Sequence, residues 1–200
     1  GSDRRGSGGQ SAPSPAPSPR SRGISVIAVL GSSVAKGFGC SGNCSDTPAS
    51  SSNGGVGGCY QTYIKNYQQQ NSRLVKRKLL NSAVNGDNTV RALARLPGLL
   101  EWIATEAAAL SAPAADASNK TFLLLGLSLA NQGYVGGTYK SGVQEIIRQC
   151  RAAGVVPVIG LCYGNGYAGS YYGSDRYELT KEVNLEIQTQ WSDVPTVNFL

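Results

Sequence analysis

Short apolar runs alternate with helix-like segments along most of these 200 residues, and this order constrains the fold more than any other feature. Strand-like runs fall at residues 24–30, within 74–84, at 121–129, at 155–161 and from 196 onward. Between them, residues 60–70, 89–110, 139–153 and 175–190 carry helical patterns. Pro97 is expected to divide the second segment or to open a new helix, and Gly154 to end the third as a C-cap. The run at 121–129 is apolar throughout, as a parallel strand covered on both faces requires. Alternating strands and helices predict a three-layer α/β/α domain around a mainly parallel, five-stranded, flavodoxin-like sheet.

The domain is expected to span residues 23–200. Residues 1–22 contain Ser-Ala-Pro-Ser-Pro-Ala-Pro-Ser-Pro, whose alternating prolines favour an extended polyproline rod, either a linker or a glycosylated stalk. Hydrophobic content of 40% with 15% charge suits a globular chain. The absence of methionine and of a signal-peptide pattern is expected of a processed or trimmed chain. No apolar run approaches the roughly 18–20 residues of a membrane span.

The net charge is +6, and the first 22 residues supply half of that excess. The one dense basic cluster, Arg73, Lys76, Arg77 and Lys78, lies beside an apolar run without interleaved aromatics. It reads as a solvated edge, and no nucleic-acid partner is expected. Three of the five cysteines, Cys40, Cys44 and Cys59, crowd a Gly/Ser-rich loop at 37–58, while Cys150 and Cys162 flank a strand. Cys-x3-Cys without histidine is poor for zinc, and neither a metal nor another cofactor is expected. Loop cysteines, the stalk and the sequons at Asn43 and Asn119 favour a secreted, disulfide-bonded glycoprotein.

In parallel sheets, ligands bind at the carboxyl ends of the strands. Three small polar positions fall just there. Ser33 follows the first strand in Gly31-Ser32-Ser33-Val34. Gly86 follows the second in Asn85-Gly86-Asp87-Asn88-Thr89. Asn131 follows the third. Each alone reads as a turn or cap residue, and Asp87 likewise as a turn residue or the N-cap of the next helix. Together they supply a hydroxyl nucleophile and donors for an oxyanion: the backbone N–H groups of Ser33 and Gly86 and the Asn131 amide. The phosphate-loop pattern is absent from residues 31–36.

This combination resembles the SGNH hydrolases, or GDSL-type esterases and lipases. Gly31-Ser32-Ser33-Val34 stands for their first block and Asn85-Gly86-Asp87-Asn88-Thr89 for their second. Of the third only Asn131 is kept, with Leu129 and Gln132 replacing its glycine and aspartate. The segment 160–165 is similar to the loop in extracellular algal and plant-like members. The resemblance implies a serine ester hydrolase acting on acylated polysaccharide or lipid. It also implies a catalytic Asp-x-x-His after the fifth strand. The chain has no histidine at all. The base is therefore expected beyond Leu200 or on a second chain, and these residues alone are expected to be nearly inactive. The alternatives are a non-catalytic extracellular glycan-binding or structural protein with the same fold, for which the Tyr-rich segment 163–177 speaks, and more distantly a phosphate binder on a flavodoxin-like sheet.

Overall fold

A computed structural model describes residues 24–36, 78–110, 120–163 and 172–198. In these residues, β1 (Ile24–Gly31) leads into a short helix α1 (Ser33–Lys36). Strand β2 (Lys78–Asn81) is followed by α2 (Thr89–Leu110), and β3 (Lys120–Gly126) by a 3₁₀ turn (Leu129–Gln132) and α3 (Gly136–Ala152). Strand β4 (Val156–Gly160), helix α4 (Asp175–Gln190) and β5 (Thr196–Val197) complete the order. The five strands form one sheet in the order β2-β1-β3-β4-β5, and every pairing is parallel. This is the flavodoxin-like order, whose direction of winding switches between β1 and β3. The predicted α/β class and parallel sheet are thus observed.

Side chains alternate across the sheet, as the twofold strand period dictates. Val26, Ala28 and Leu30 of β1 face the larger core with Leu123 and Leu125 of β3 and Ile159 of β4. The helices close over this face through buried positions at helical spacing: Ala92, Leu96, Leu99 and Ile103 of α2, Val143, Ile146 and Cys150 of α3, and Val183 and Ile187 of α4. Val29, Leu79 and Leu124 face the other way, together with Ala35 of α1. The helix expected at 60–70 and the cysteine-rich loop at 37–58 lie outside the described residues.

Two expectations change. Pro97 neither divides nor opens a helix: α2 runs unbroken past it. Pro97 and Gly98 are exposed, so the missing hydrogen bond falls on the solvated side, while Leu96 and Leu99 anchor the helix on its buried side. The third strand ends at Gly126, not at residue 129. Leu127 and Leu129 are apolar because both are buried in the core, although Ser128 between them caps the 3₁₀ turn, its Oγ accepting from Ala130 N at 3.2 Å. Of its two expected roles Asp87 fills that of a turn residue, its N–H donating to Val84 O at 3.2 Å, and it does not cap α2. Asn88 does, its Oδ1 accepting from Arg91 N at 3.0 Å. Gly154, at φ 70°, does end α3 as expected.

Pro157 is tolerated inside β4 for a topological reason. The N–H groups of Ile159 and Leu161 point to the β5 side, bonding Pro195 O and Val197 O at 2.9 Å each. By alternation residue 157 faces the same side, below the point where β5 joins, so no ladder bond is lost.

Candidate active site

The described carboxyl ends of β1, β2 and β3 are stitched together by main-chain bonds. Ser32 N donates to Gly126 O at 3.0 Å, Ser82 N to Val29 O at 2.8 Å and Val84 N to Gly31 O at 2.9 Å. Gly31 and Gly126 are register partners on neighbouring strands. A Cβ on Gly31 would lie 2.4 Å from Ala35 Cβ and 2.6 Å from Gly126 O, and one on Gly126 would lie 2.8 Å from Ala35 Cβ. Both glycines are therefore needed for α1 to sit directly on the strand ends. The chain turns sharply there. Ser32 is fully buried and Ser33, the first residue of α1, is half-buried. Its N–H belongs to the first turn of a helix, where no intrahelical acceptor exists.

Gly86 lies on the exposed turn after β2, at φ 72°, a left-handed conformation that disfavours any side chain. A Cβ there would meet nothing within 4 Å, so backbone conformation rather than close packing accounts for the glycine. Its neighbour Asp87 is 1% exposed and forms an ion pair with Arg95 of α2. Arg95 also donates to Ser82 O at 2.5 Å and Ser82 Oγ at 2.9 Å, closing the turn onto the end of β2.

Asn131 reaches the same turn from β3, its Nδ2 donating to Asp87 O at 3.0 Å. One amide hydrogen thus holds the Gly86–Asp87 turn, a tethering task the sequence did not foretell. Gln132 strengthens the junction, its Oε1 accepting from Thr89 N at 3.1 Å and Thr89 Oγ1 at 2.9 Å. The fold thus brings the segments bearing Ser33, Gly86 and Asn131, nearly a hundred residues apart in sequence, to one edge at the switch point of the sheet. Asp193 lies at the opposite edge, before β5, where it pairs with Arg151 at 2.6 Å.

Tyr163, just after β4, was not among the sequence candidates. Its phenol lies beside the side chains of Ser32 and Ser128, next to both the turn after β1 and the loop after β3. Burial raises its pKa, with those two side chains opposing the shift, so it stays protonated at neutral pH. Asn184 of α4 fixes the segment: its Oδ1 accepts from Cys162 N at 2.8 Å and its Nδ2 donates to Cys162 O at 2.7 Å. A polar residue on the buried side of a helix was the available sequence signal. Cys150 and Cys162 are both buried free thiols, and burial pushes Cys150 up to about 12. The predicted disulfides would thus have to involve Cys40, Cys44 and Cys59, which lie outside the described residues. Among the described residues, no group of three His, Cys, Asp or Glu is placed to hold a metal, and no helix is long and apolar enough to cross a membrane.

Two predictions follow from this geometry. Arg95→Ala leaves the Asp87 carboxylate buried without its partner and should cost about 2–3 kcal/mol in urea denaturation. Arg95→Lys should recover only part, since an ammonium lacks the planar fork whose two nitrogens reach Ser82 and Asp87 separately. Tyr163→Phe removes only the hydroxyl and should cost about 1 kcal/mol. It should also slow covalent labelling of Ser33 several-fold, because the polar group beside Ser32 is lost.

No protein-family model matches the chain, and no curated protein sequence does. Solved structures do. The psychrotrophic esterase EstA from Pseudoalteromonas sp. is similar at 18% identity and a TM-score of 0.58, covering 87% of this chain and 76% of its own. AlinE4, an SGNH-hydrolase family esterase, is similar at 14% identity and a TM-score of 0.57, covering 87% of this chain and 75% of its own. A lipase/acylhydrolase from Enterococcus faecalis is similar at 11% identity and a TM-score of 0.52, with coverage of 87% and 75%. The chain therefore has the α/β fold of SGNH-hydrolase and GDSL-type esterases and lipases, as the resemblance of its motifs implies.

Proposed function

We propose that the chain carries the nucleophile and oxyanion hole of a serine ester hydrolase of SGNH type. One observation carries the reading: the Gly31–Ser33 turn is bound to the ends of β2 and β3, and the Gly86 turn is tied to Asn131 on the same edge. In the proposed reaction Ser33 Oγ attacks the ester carbonyl carbon while a base takes its proton. The N–H groups of Ser33 and Gly86 and the second Asn131 amide hydrogen receive the oxyanion. The carbon–oxygen bond then breaks, the alcohol leaves with the proton, and water releases the acyl group from Ser33 by the reverse sequence. None of the 200 residues is a histidine, so the base comes from outside them, as a further segment or a second chain. Substrates are acyl esters of carbohydrate or lipid, and the setting is extracellular or secretory. The names of the structural neighbours, esterase and lipase, support this class of substrate.

A fluorophosphonate probe tests the proposal. With a base present, supplied by the histidine-bearing segment or by added imidazole, the label should map to Ser33 by peptide mass spectrometry. Labelling elsewhere, or none, overturns the assignment. The lack of histidine favours a second reading, a non-catalytic protein of the same fold, and an unlabelled Ser33 with the natural partner segment in place would select it.

A further inference from the structure

A second feature runs along α4. A groove of about 810 Å³ lies between this helix and the ends of β4 and β5. Leu161, Leu179 and Leu185 give it apolar ground, and Asp175, Glu182 and Gln188 project acceptors into it. Beside it, in the turn before α4, stands Tyr172, a residue 86% exposed. Its ring packs 5.3 Å from that of Tyr177 at a tilt of 55°. Lys181 joins the two parts, lining the groove with its ammonium 5.6 Å from the Tyr177 ring centre. Arg176 lies 4.9 Å over the ring of Tyr134, a non-glycine residue held at φ 60°. Such strain persists only where surrounding structure enforces it, and it gathers at functional surfaces.

We infer that this aromatic platform and groove bind a neutral polysaccharide strand. An exposed large aromatic ring beside scattered leucines and acceptors suits a ligand with apolar C–H faces and a rim of hydroxyls. Tyrosine offers a large, rigid, amphipathic surface at low entropic cost. Carboxylate and amide groups fix orientation by accepting hydroxyl protons. The charge pattern rejects the other occupants. Lys181 pairs with Glu178 at 2.8 Å, so Asp175 and Glu182 leave the groove net acidic, which repels nucleic acid and acidic polysaccharide alike. An acyl chain would need a continuous apolar lining, which the carboxylates interrupt. From Asp175 to Gln188 the groove follows the helix for about 20 Å at 1.5 Å per residue, long enough for several sugar units. The inference rests on the proposed ester hydrolysis only in making the polysaccharide the carrier of the ester.

The test reads binding alone. The chain is titrated by calorimetry and by amide NMR with xylohexaose, cellohexaose and laminarihexaose, and with hexagalacturonate as the anionic comparison. At least one neutral hexamer should bind, the anionic one more weakly. Tyr172→Ala should weaken binding about tenfold without moving the melting temperature, since the ring is exposed. Glu182→Gln should change affinity without loss of fold. No binding by any neutral hexamer at millimolar concentration, equal binding by Tyr172→Ala, or tighter binding of hexagalacturonate overturns the inference. Fluorophosphonate labelling of Ser33 is read separately: intact labelling without sugar binding removes this inference alone, and sugar binding without labelling removes the hydrolase reading alone.

Discussion

Ser33→Ala should reduce ester hydrolysis by at least about a thousandfold when a histidine-bearing segment is present, and should abolish fluorophosphonate labelling. The size of the effect follows from what remains. Without the hydroxyl no acyl-enzyme forms, and only the donors that would hold the oxyanion are left to assist attack by water. The substitution should be nearly neutral for stability, since Ser33 is half-buried at the start of a short helix and the fully buried residue of the turn is its neighbour Ser32. Steady-state hydrolysis of p-nitrophenyl acetate, with thermal melts on the same samples, checks both halves. Wild-type activity in the alanine variant would remove Ser33 from the mechanism. Ser32→Ala should do the reverse: it loses stability through its bonds beneath the turn, while a reactive hydroxyl at Ser33 remains.

Gly31→Ala should cost about 3 kcal/mol, which for a domain of this size lowers the melting temperature by roughly 10 °C. The added methyl would stand 2.4 Å from Ala35 Cβ and 2.6 Å from Gly126 O. The second contact is the graver, because a backbone carbonyl inside the β1–β3 pairing cannot swing aside as a side-chain end would. Relief requires lifting α1 off the strands, and that displaces Ser33 as well. Labelling of Ser33 should therefore fall in the same variant. Gly86→Ala is the informative comparison. Nothing crowds that position, so its cost is only that of a left-handed backbone, about 1 kcal/mol. Differential scanning calorimetry should rank the two clearly, and equal losses would refute the close-packing account of Gly31.

Much of the fold was legible because periodicity is a local property. The apolar runs announced the strands, and α4 occupies the residues its pattern suggested. Errors arose where one residue type serves two purposes. Leu127 and Leu129 look like strand residues because they are buried, yet the chain has already turned at Gly126. Pro97 looks like a break, yet on the exposed side of a well-anchored helix it is tolerated. At the site, Ser33, Gly86 and Asn131 could be picked out as strand-end residues. Tyr163 could not, because its role depends on hydroxyls contributed by Ser32 and Ser128 from distant parts of the chain.

Sequence by itself determined the alternation of strands and helices, the parallel sheet that follows from it, and the set of small polar residues at strand ends. These depend on side-chain period and on turn chemistry within a few residues. Tertiary structure alone decided how those residues are joined. Gly31 pairs with Gly126, Arg95 answers the buried charge of Asp87, and Asn131 spends one amide hydrogen on the turn beside Gly86. The first and last of these link segments that meet only after the sheet has formed, while Arg95 and Asp87 are near in sequence and are paired through the burial that the packed turn imposes.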